Sequence, residues 1–352
     1  MSLNQWAKEI RRNQLKKEKD KPKDKPVYVN KSKIREKNEL INCLTVILRT
    51  KGCSWARESG CTMCGYIYDS AKEVEDRDIF NQFKESIKKY GTKKPFVLKI
   101  FTSGSFLDKK EISKNLRDKI IDYIKREPKI RKLIIESRPE FITQNNLMDL
   151  LSEINKLEIA IGLETTNDEI RKDCINKNFT YNDFLKAAEL IKDHNINLKT
   201  YLLLKPPFLT EKTAIEDIKS SIDDLRKLNV DKISINPCNI QKGTIVEYLF
   251  ERDEYNPPWI WSLTDILKEY ASYDFTLVSE PVAGGKKRGI HNCGKCDNEV
   301  LERVKDFSLH QDQTVFNETE CECKLTWKNY VEIERKLHNT PKDFRRSTPK
   351  NK

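Results

Sequence analysis

From about position 40 onward, short runs of β-branched and apolar residues alternate with longer stretches whose apolar positions recur at helical spacing. Six runs stand out: 43–49 (CLTVILR), 96–101 (FVLKIF), 132–136 (KLIIE), 157–163 (LEIAIGL), 198–204 (LKTYLLL) and 232–236 (KISIN). Strands separated by helices predict parallel βαβ units. Thr166 with Glu169, and Thr213 with Glu216, have the spacing in which two side chains satisfy orphan backbone donors at a helix start, so helices are expected after the fourth and fifth strands. A helix beginning near Ser262 leads to a further apolar stretch at 275–278, a seventh strand or an edge. The pattern predicts an α/β fold, a partial (β/α)6 barrel, but a flat doubly wound sheet has the same local signature.

The 352 residues carry 66 Lys and Arg against 55 Asp and Glu, a net charge of +11. The excess lies at the ends, with thirteen basic and six acidic side chains in residues 1–40 and five against one in the last fourteen. Residues 1–39, with KEKDKPKDKP at 17–26, are expected to form a basic, mobile N-terminal arm, because prolines and like charges oppose packing. Residues 40–280 then form the barrel, 281–338 a Cys-rich metal-binding module and 339–352 a basic tail. The basic ends, with Lys286, Lys287 and Arg288, are either a phosphate-contacting footprint or ordinary solvated surface. No run of 18 apolar residues and no apolar signal core is present, which predicts a cytoplasmic protein with no membrane partner. The absence of a G-x-G-x-x-G or Walker-type loop argues against nicotinamide dehydrogenases and P-loop NTPases.

Ten cysteines without an export signal point to metal ligation rather than disulfides. Cys53, Cys61 and Cys64, spaced C-x7-C-x2-C, directly follow the first strand. Three thiolates can hold an iron–sulfur cluster that keeps one iron for a non-protein ligand, or a zinc ion with a remote fourth ligand. Their place at a strand's C-terminal end, where a βα barrel puts its chemistry, favours the cluster. Cys293-x2-Cys296 and Cys321-x-Cys323 form two close pairs, which predicts a closed zinc staple, with a second iron–sulfur cluster as the rival and His291 as a substitute ligand.

The long first cysteine spacing, together with TSGSFLD (102–108), ESRPE (136–140) and IGLETTNDEIR (161–171), resembles the radical S-adenosylmethionine (SAM) enzymes, and within them the archaeosine synthase radical SAM subunit family. The resemblance spans about 40–327. The last two motifs are also similar to the radical SAM domain of the elongator catalytic subunit. The commoner radical SAM spacing is C-x3-C-x2-C with an aromatic residue where Met63 stands, so the match is to the narrower family.

The resemblance implies a TIM-barrel-like radical SAM fold with a 4Fe-4S cluster on Cys53, Cys61 and Cys64. SAM would chelate the fourth iron and split, on reduction by an unidentified electron donor, to a 5′-deoxyadenosyl radical. The implied substrate is a tRNA whose 7-deazaguanine bears a lysine (preQ0-lysine), installed by an ArcS-type lysine-transferring partner subunit. The radical would abstract a hydrogen beside the linking nitrogen, and a lyase reaction at the lysine C–N bond would leave archaeosine. The alternatives are an elongator-like or methylthio-transferring radical SAM enzyme on another RNA base, and a zinc-stapled RNA-binding protein without catalysis.

Strand ends supply the other candidates. Thr102, Gly104 and Ser105 follow the second strand, where the resemblance implies a turn against the SAM amino group. Glu136, Arg138 and Glu164 supply charged partners for SAM, or form a rim salt bridge. Lys199, Tyr201, Lys205 and Asn236, on or after the fifth and sixth strands, face the substrate if the register points them inward, which sequence does not decide. Trp259, Trp261 and Tyr255 either stack on an extruded base or plug the barrel bottom.

Overall fold

The protein is described by a computed structural model over residues 1–37, 39–151, 156–271, 275–317 and 319–337. One sheet runs in strict order through β1 (Tyr28–Glu36), β2 (Glu39–Ile47), β3 (Phe96–Phe101), β4 (Ile130–Glu136), β5 (Leu157–Glu164), β6 (Asn197–Leu204), β7 (Lys232–Pro237) and β8 (Thr276–Val278). Neighbours from β2 to β8 are parallel, and β1 is antiparallel to β2. A doubly wound sheet reverses its strand order at a switch point; this one does not. Curling is visible in one ion pair: Glu36 at the end of β1 lies 3.8 Å from Lys232 on β7, six strand spacings away, which a flat sheet would separate by roughly 29 Å. The architecture is therefore an open partial barrel of seven parallel strands with an antiparallel edge.

The helices are α1 (Leu3–Leu15), α2 (Ser54–Glu58), α3 (Asp76–Tyr90), α4 (Lys114–Arg126), α5 (Gln144–Leu151), α6 (Asp168–Ile170), α7 (Tyr181–Asp193), α8 (Glu211–Lys227), α9 (Ile245–Phe250), α10 (Ile260–Glu269), α11 (Asp297–His310) and α12 (Cys323–Leu337). Outward-facing strand residues such as Leu98, Ile100, Ile135 and Ile235 pack with Phe83, Ile120, Phe184 and Ile222 from the helices in one continuous core. Helices do follow β5 and β6, but their caps differ from expectation. Asn167 rather than Thr166 caps α6, and Thr210, three residues before Thr213, caps α8 by accepting from the Thr213 amide.

Residues 1–37 do not behave as the expected mobile arm. Helix α1 starts at a capping box between Ser2 and Gln5 and buries Leu3, Ala7, Arg11 and Gln14, while β1 pairs with β2 along nine residues. Lysines on β1 suit an edge strand, and they hide the period-2 signal that would announce one. The Cys-rich segment packs against the barrel: Val300, Val304, Phe307, Phe316 and Trp327 join the barrel's own core. The basic tail, 339–352, lies outside the described residues. No helix among the described residues is long and apolar enough to cross a membrane.

Candidate active site

The loop carrying Cys53, Cys61 and Cys64 leaves the C-terminal end of β2 and is gripped from three sides. From α1, Arg11 donates to the Ser59 and Cys61 carbonyls. After β5, the Asn176 side chain donates to the Gly60 carbonyl at 2.8 Å, the Asn176 carbonyl accepts from Trp55 Nε1 at 2.9 Å, and the Thr62 amide donates to Ile175 at 2.9 Å. After β7, Gln241 accepts from the Gly65 amide at 2.6 Å. Gly60 has φ +97°, and a Cβ there would lie 2.5 Å from the Arg11 guanidinium, so glycine admits the clamp. An irregular segment is thereby fixed without regular structure.

Burial pushes the Cys61 thiol up to about 12 and the Cys64 thiol upward, and each is raised further by neighbouring cysteines of the triad. Lys177 and Arg138 oppose this at Cys61, and Arg11 at Cys64. Bare thiolates are therefore costly here, whereas coordination deprotonates a thiol and shares its charge. Three soft donors ringed by cations could hold an iron–sulfur cluster.

The turn after β3 presses on the first cysteine. A Cβ on Gly104 would lie 2.8 Å from Cys53 Cα and 2.6 Å from Glu111 Oε2, so the close approach this glycine allows is to Cys53 itself. Ser105 donates its amide to Glu111 at 2.8 Å and accepts the Arg138 amide on Oγ at 3.0 Å; Thr102 Oγ1 accepts the Gly104 amide at 3.2 Å. Buried Glu111 also accepts from Thr50 at 2.6 Å and organises the whole turn. Arg138 places Nη1 3.8 Å from Cys53 Sγ and pairs with Glu140 at 2.5 Å, so no Glu136–Arg138 rim bridge forms. Glu164, in the left-handed region at φ +71°, meets Lys177 at 2.5 Å, and such strain in a non-glycine residue is characteristic of functional sites.

Deeper in the barrel, Glu136 hydrogen-bonds Tyr201, and Lys199 lies over the Tyr201 ring at 4.6 Å. Asn236 shares the inward face of β7 with Lys232 and accepts from Ser234 at 3.3 Å. Lys205 is directed elsewhere: it is fully buried between Glu211 at 2.9 Å and Glu334 at 3.2 Å, an ion triad that docks α12 onto the barrel, so its ammonium is not offered to a substrate. Sequence reasoning missed Arg11, Glu111, Asn176 and Lys177. Asn176, with φ +59° at the end of a π-helical turn, is the kind of residue that marks such a stop.

Cys293, Cys296, Cys321 and Cys323 bring their sulfurs within 4.8 Å of one another, three of the six pairs being separated by 3.7, 3.7 and 3.9 Å. This group could hold a metal ion. His291 stays out of it and bonds the Gly289 carbonyl at 2.8 Å. Trp261 is buried and donates Nε1 to Cys323 Sγ at 3.2 Å, so it packs on this site rather than stacking a base.

Residues 47–220, from the end of β2 into α8, match the Radical SAM superfamily. Over 97% of this chain and 99% of its own length, archaeosine synthase subunit beta of Methanosarcina acetivorans is 43% identical. The chain belongs to the radical SAM family of archaeosine synthase beta subunits. Archaeosine synthase subunit beta of Thermococcus kodakarensis is 39% identical over 82% of this chain and 91% of that protein. Archaeal Elp3 from Methanocaldococcus infernus, solved without residues 1–46, superposes with a TM-score of 0.49 at 16% identity, covering 66% of this chain and 59% of that one. For the family, a 4Fe-4S cluster and SAM are implied, and the cysteine loop and the C-terminal ends of β2 to β6 lie inside the matched span.

Proposed function

We propose that this chain is the radical-generating subunit of a tRNA-modifying enzyme that forms archaeosine by cleaving the lysine C–N bond of a lysine-bearing 7-deazaguanine. The observation that carries the reading is near-full-length identity of 43% to a protein of that name, combined with a clamped cysteine triad at the C-terminal mouth of seven parallel strands. Cys53, Cys61 and Cys64 would hold the 4Fe-4S cluster. With SAM bound, that group supplies hydrogen-atom abstraction. The chain's own part is positional: Arg11, Asn176 and Gln241 fix the loop, Gly104 and Glu111 seat Cys53, and Arg138, Lys177 and Glu164 offer charge partners at the mouth. A second, lysine-transferring subunit, tRNA and an electron donor complete the system, and the protein works in the cytoplasm.

Zinc is the reading for the C-terminal site. A Zn–S bond of about 2.3 Å gives a tetrahedron with edges of about 3.8 Å, close to the 3.7–3.9 Å of three of the six sulfur pairs here, the rest lying within 4.8 Å, whereas a cubane holds its thiolates farther apart. That favours a structural staple over an auxiliary cluster, and so weighs against sulfur insertion. Among the described residues, the N-terminal triad is not gathered within 4.8 Å, which suits a multi-iron cluster better than a lone ion. The test is mass spectrometry of nucleosides after the reduced protein acts on lysine-bearing tRNA with SAM. Archaeosine is expected; SAM cleavage without it would overturn the substrate assignment.

A further inference from the structure

The inner face of this barrel is lined with charge. Lys132 pairs with Glu36 at 2.7 Å and Glu158 at 2.8 Å, Lys232 reaches Glu158 at 3.4 Å, and Lys99 reaches Glu280 at 3.7 Å. Lys199, only 5% exposed, is the exception: among the described residues no carboxylate lies within ion-pair distance of it, and its ammonium lies over the face of Tyr201. A buried ammonium without an ion-pair partner is expensive, and here Lys99 and Lys232 add repulsion against the more distant attraction of Glu280 and Glu158.

The strand register shows what stands opposite. Glu136, Ala160 and Lys199 are aligned across β4, β5 and β6 and therefore point to the same side. Two strand spacings place the Glu136 and Lys199 backbones about 10 Å apart, with only a methyl group between them. Beyond Ala160 on the same face comes Gly162, level with Tyr201. The row thus has an acid at one end and a cation at the other, with only small residues at the strand positions between them and Tyr201 reaching across to Glu136. It lies close to the triad, since Glu136 and Cys64 both bear on the charge of Tyr66.

We propose that Lys199 and Glu136 bind the two charged ends of an α-amino-acid head group carried by the substrate, Lys199 taking its carboxylate and Glu136 its ammonium. The inference rests on the proposed function, in which the modified base carries lysine. A zwitterion supplies the missing anion at Lys199 and a cation for Glu136 together, whereas a backbone phosphate would satisfy Lys199 and be repelled by Glu136. Tyr201, bonded to Glu136 and lying against Lys199, fixes the spacing of the two.

The test compares two tRNAs whose 7-deazaguanine bears either lysine or 1,5-diaminopentane, which lacks the carboxylate, using the full-length chain with its metals restored. Equilibrium binding and kcat/KM are measured for wild type, Lys199→Met and Lys199→Arg, with metal content confirming each fold. Wild type should prefer the lysine arm by roughly 10- to 100-fold. Lys199→Met should lose that preference, and Lys199→Arg should restore part of it. Equal treatment of the two arms by wild type overturns the inference while leaving the function standing. An equal loss on both arms in Lys199→Met would assign Lys199 to phosphate or to structure, and a parallel loss of SAM binding would assign it to SAM; either overturns it. If wild type converts neither arm while cleaving SAM, the function itself fails and takes this inference with it.

Discussion

Arg11 Nη2 donates to the Cys61 carbonyl at 3.0 Å, and its Nε to the Ser59 carbonyl at 2.7 Å, so a helix fifty residues upstream holds the cysteine loop. The guanidinium is buried and also lies 5.9 Å over the Tyr68 ring. Arg11→Ala should therefore loosen the loop while leaving every thiol in place. We expect reduced iron retention and faster cluster loss in air, followed by absorbance near 400 nm, with zinc content unchanged. Iron loss indistinguishable from wild type would show that the clamp has no such role.

The C-terminal site predicts the opposite split. Cys321→Ser should abolish zinc binding and lower the melting temperature by several degrees, because metal that binds only the folded state stabilises it. Iron content should persist, since the two cysteine groups share no ligand. Loss of both metals together would contradict separate sites.

Inside the barrel, Glu158 accepts from both Lys132 and Lys232, and those lysines hold its carboxyl down at about 2 against burial. A carboxyl depressed from its ordinary value of 4.5 contributes stability that is present above pH 4.5 and lost as pH falls toward 2. Glu158→Gln leaves two buried ammoniums short of an anion and should cost about 3–5 kcal/mol. Denaturant unfolding at pH 7 measures it, and a loss below about 1 kcal/mol would mean Glu36 suffices as partner.

The head-group site has its own pH signature. Burial raises the Glu136 carboxyl to about 7, against the attraction of Lys199 and Lys99 and with added repulsion from Glu164. Burial and Lys99 lower Lys199 to about 8, Lys232 adding to the effect and Glu280 and Glu158 opposing it. Below 7 the acid is neutral and above 8 the lysine is, so affinity for the lysine-bearing arm should peak between those values. The decarboxylated arm should lose the alkaline limb, and a flat profile for both arms would refute the assignment.

Much of this was legible from sequence, and what was missed has a physical cause. The parallel strands announce themselves because both of their faces are buried, so their apolar runs are nearly continuous, as in LEIAIGL at 157–163. The edge strand β1 buries only Ile34 and offers no such run. Helix α1 did carry a signal, the Ser2–Gln5 capping box with Leu3 and Ala7 one turn apart, but the lysine- and proline-rich stretch after it dominates the composition. Spacing marks the cysteines of both groups as candidate metal ligands, and the fold gathers the four C-terminal ones. Arg11, Glu111 and Asn176 are not marked in this way, because each acts on backbone groups distant in sequence, and no local pattern encodes that. Lys199 and Lys205 look alike in the chain, yet only the fold shows that one lacks an anion and the other has two.

The central claim is that Cys53, Cys61 and Cys64 together hold the reactive iron cluster. Metal analysis of anaerobically purified protein, wild type against the triple variant Cys53→Ala, Cys61→Ala, Cys64→Ala, tests it most directly. The account predicts about four irons and one zinc in wild type, and zinc alone in the variant. Iron retained by the variant, or a second zinc in place of iron in wild type, would contradict it.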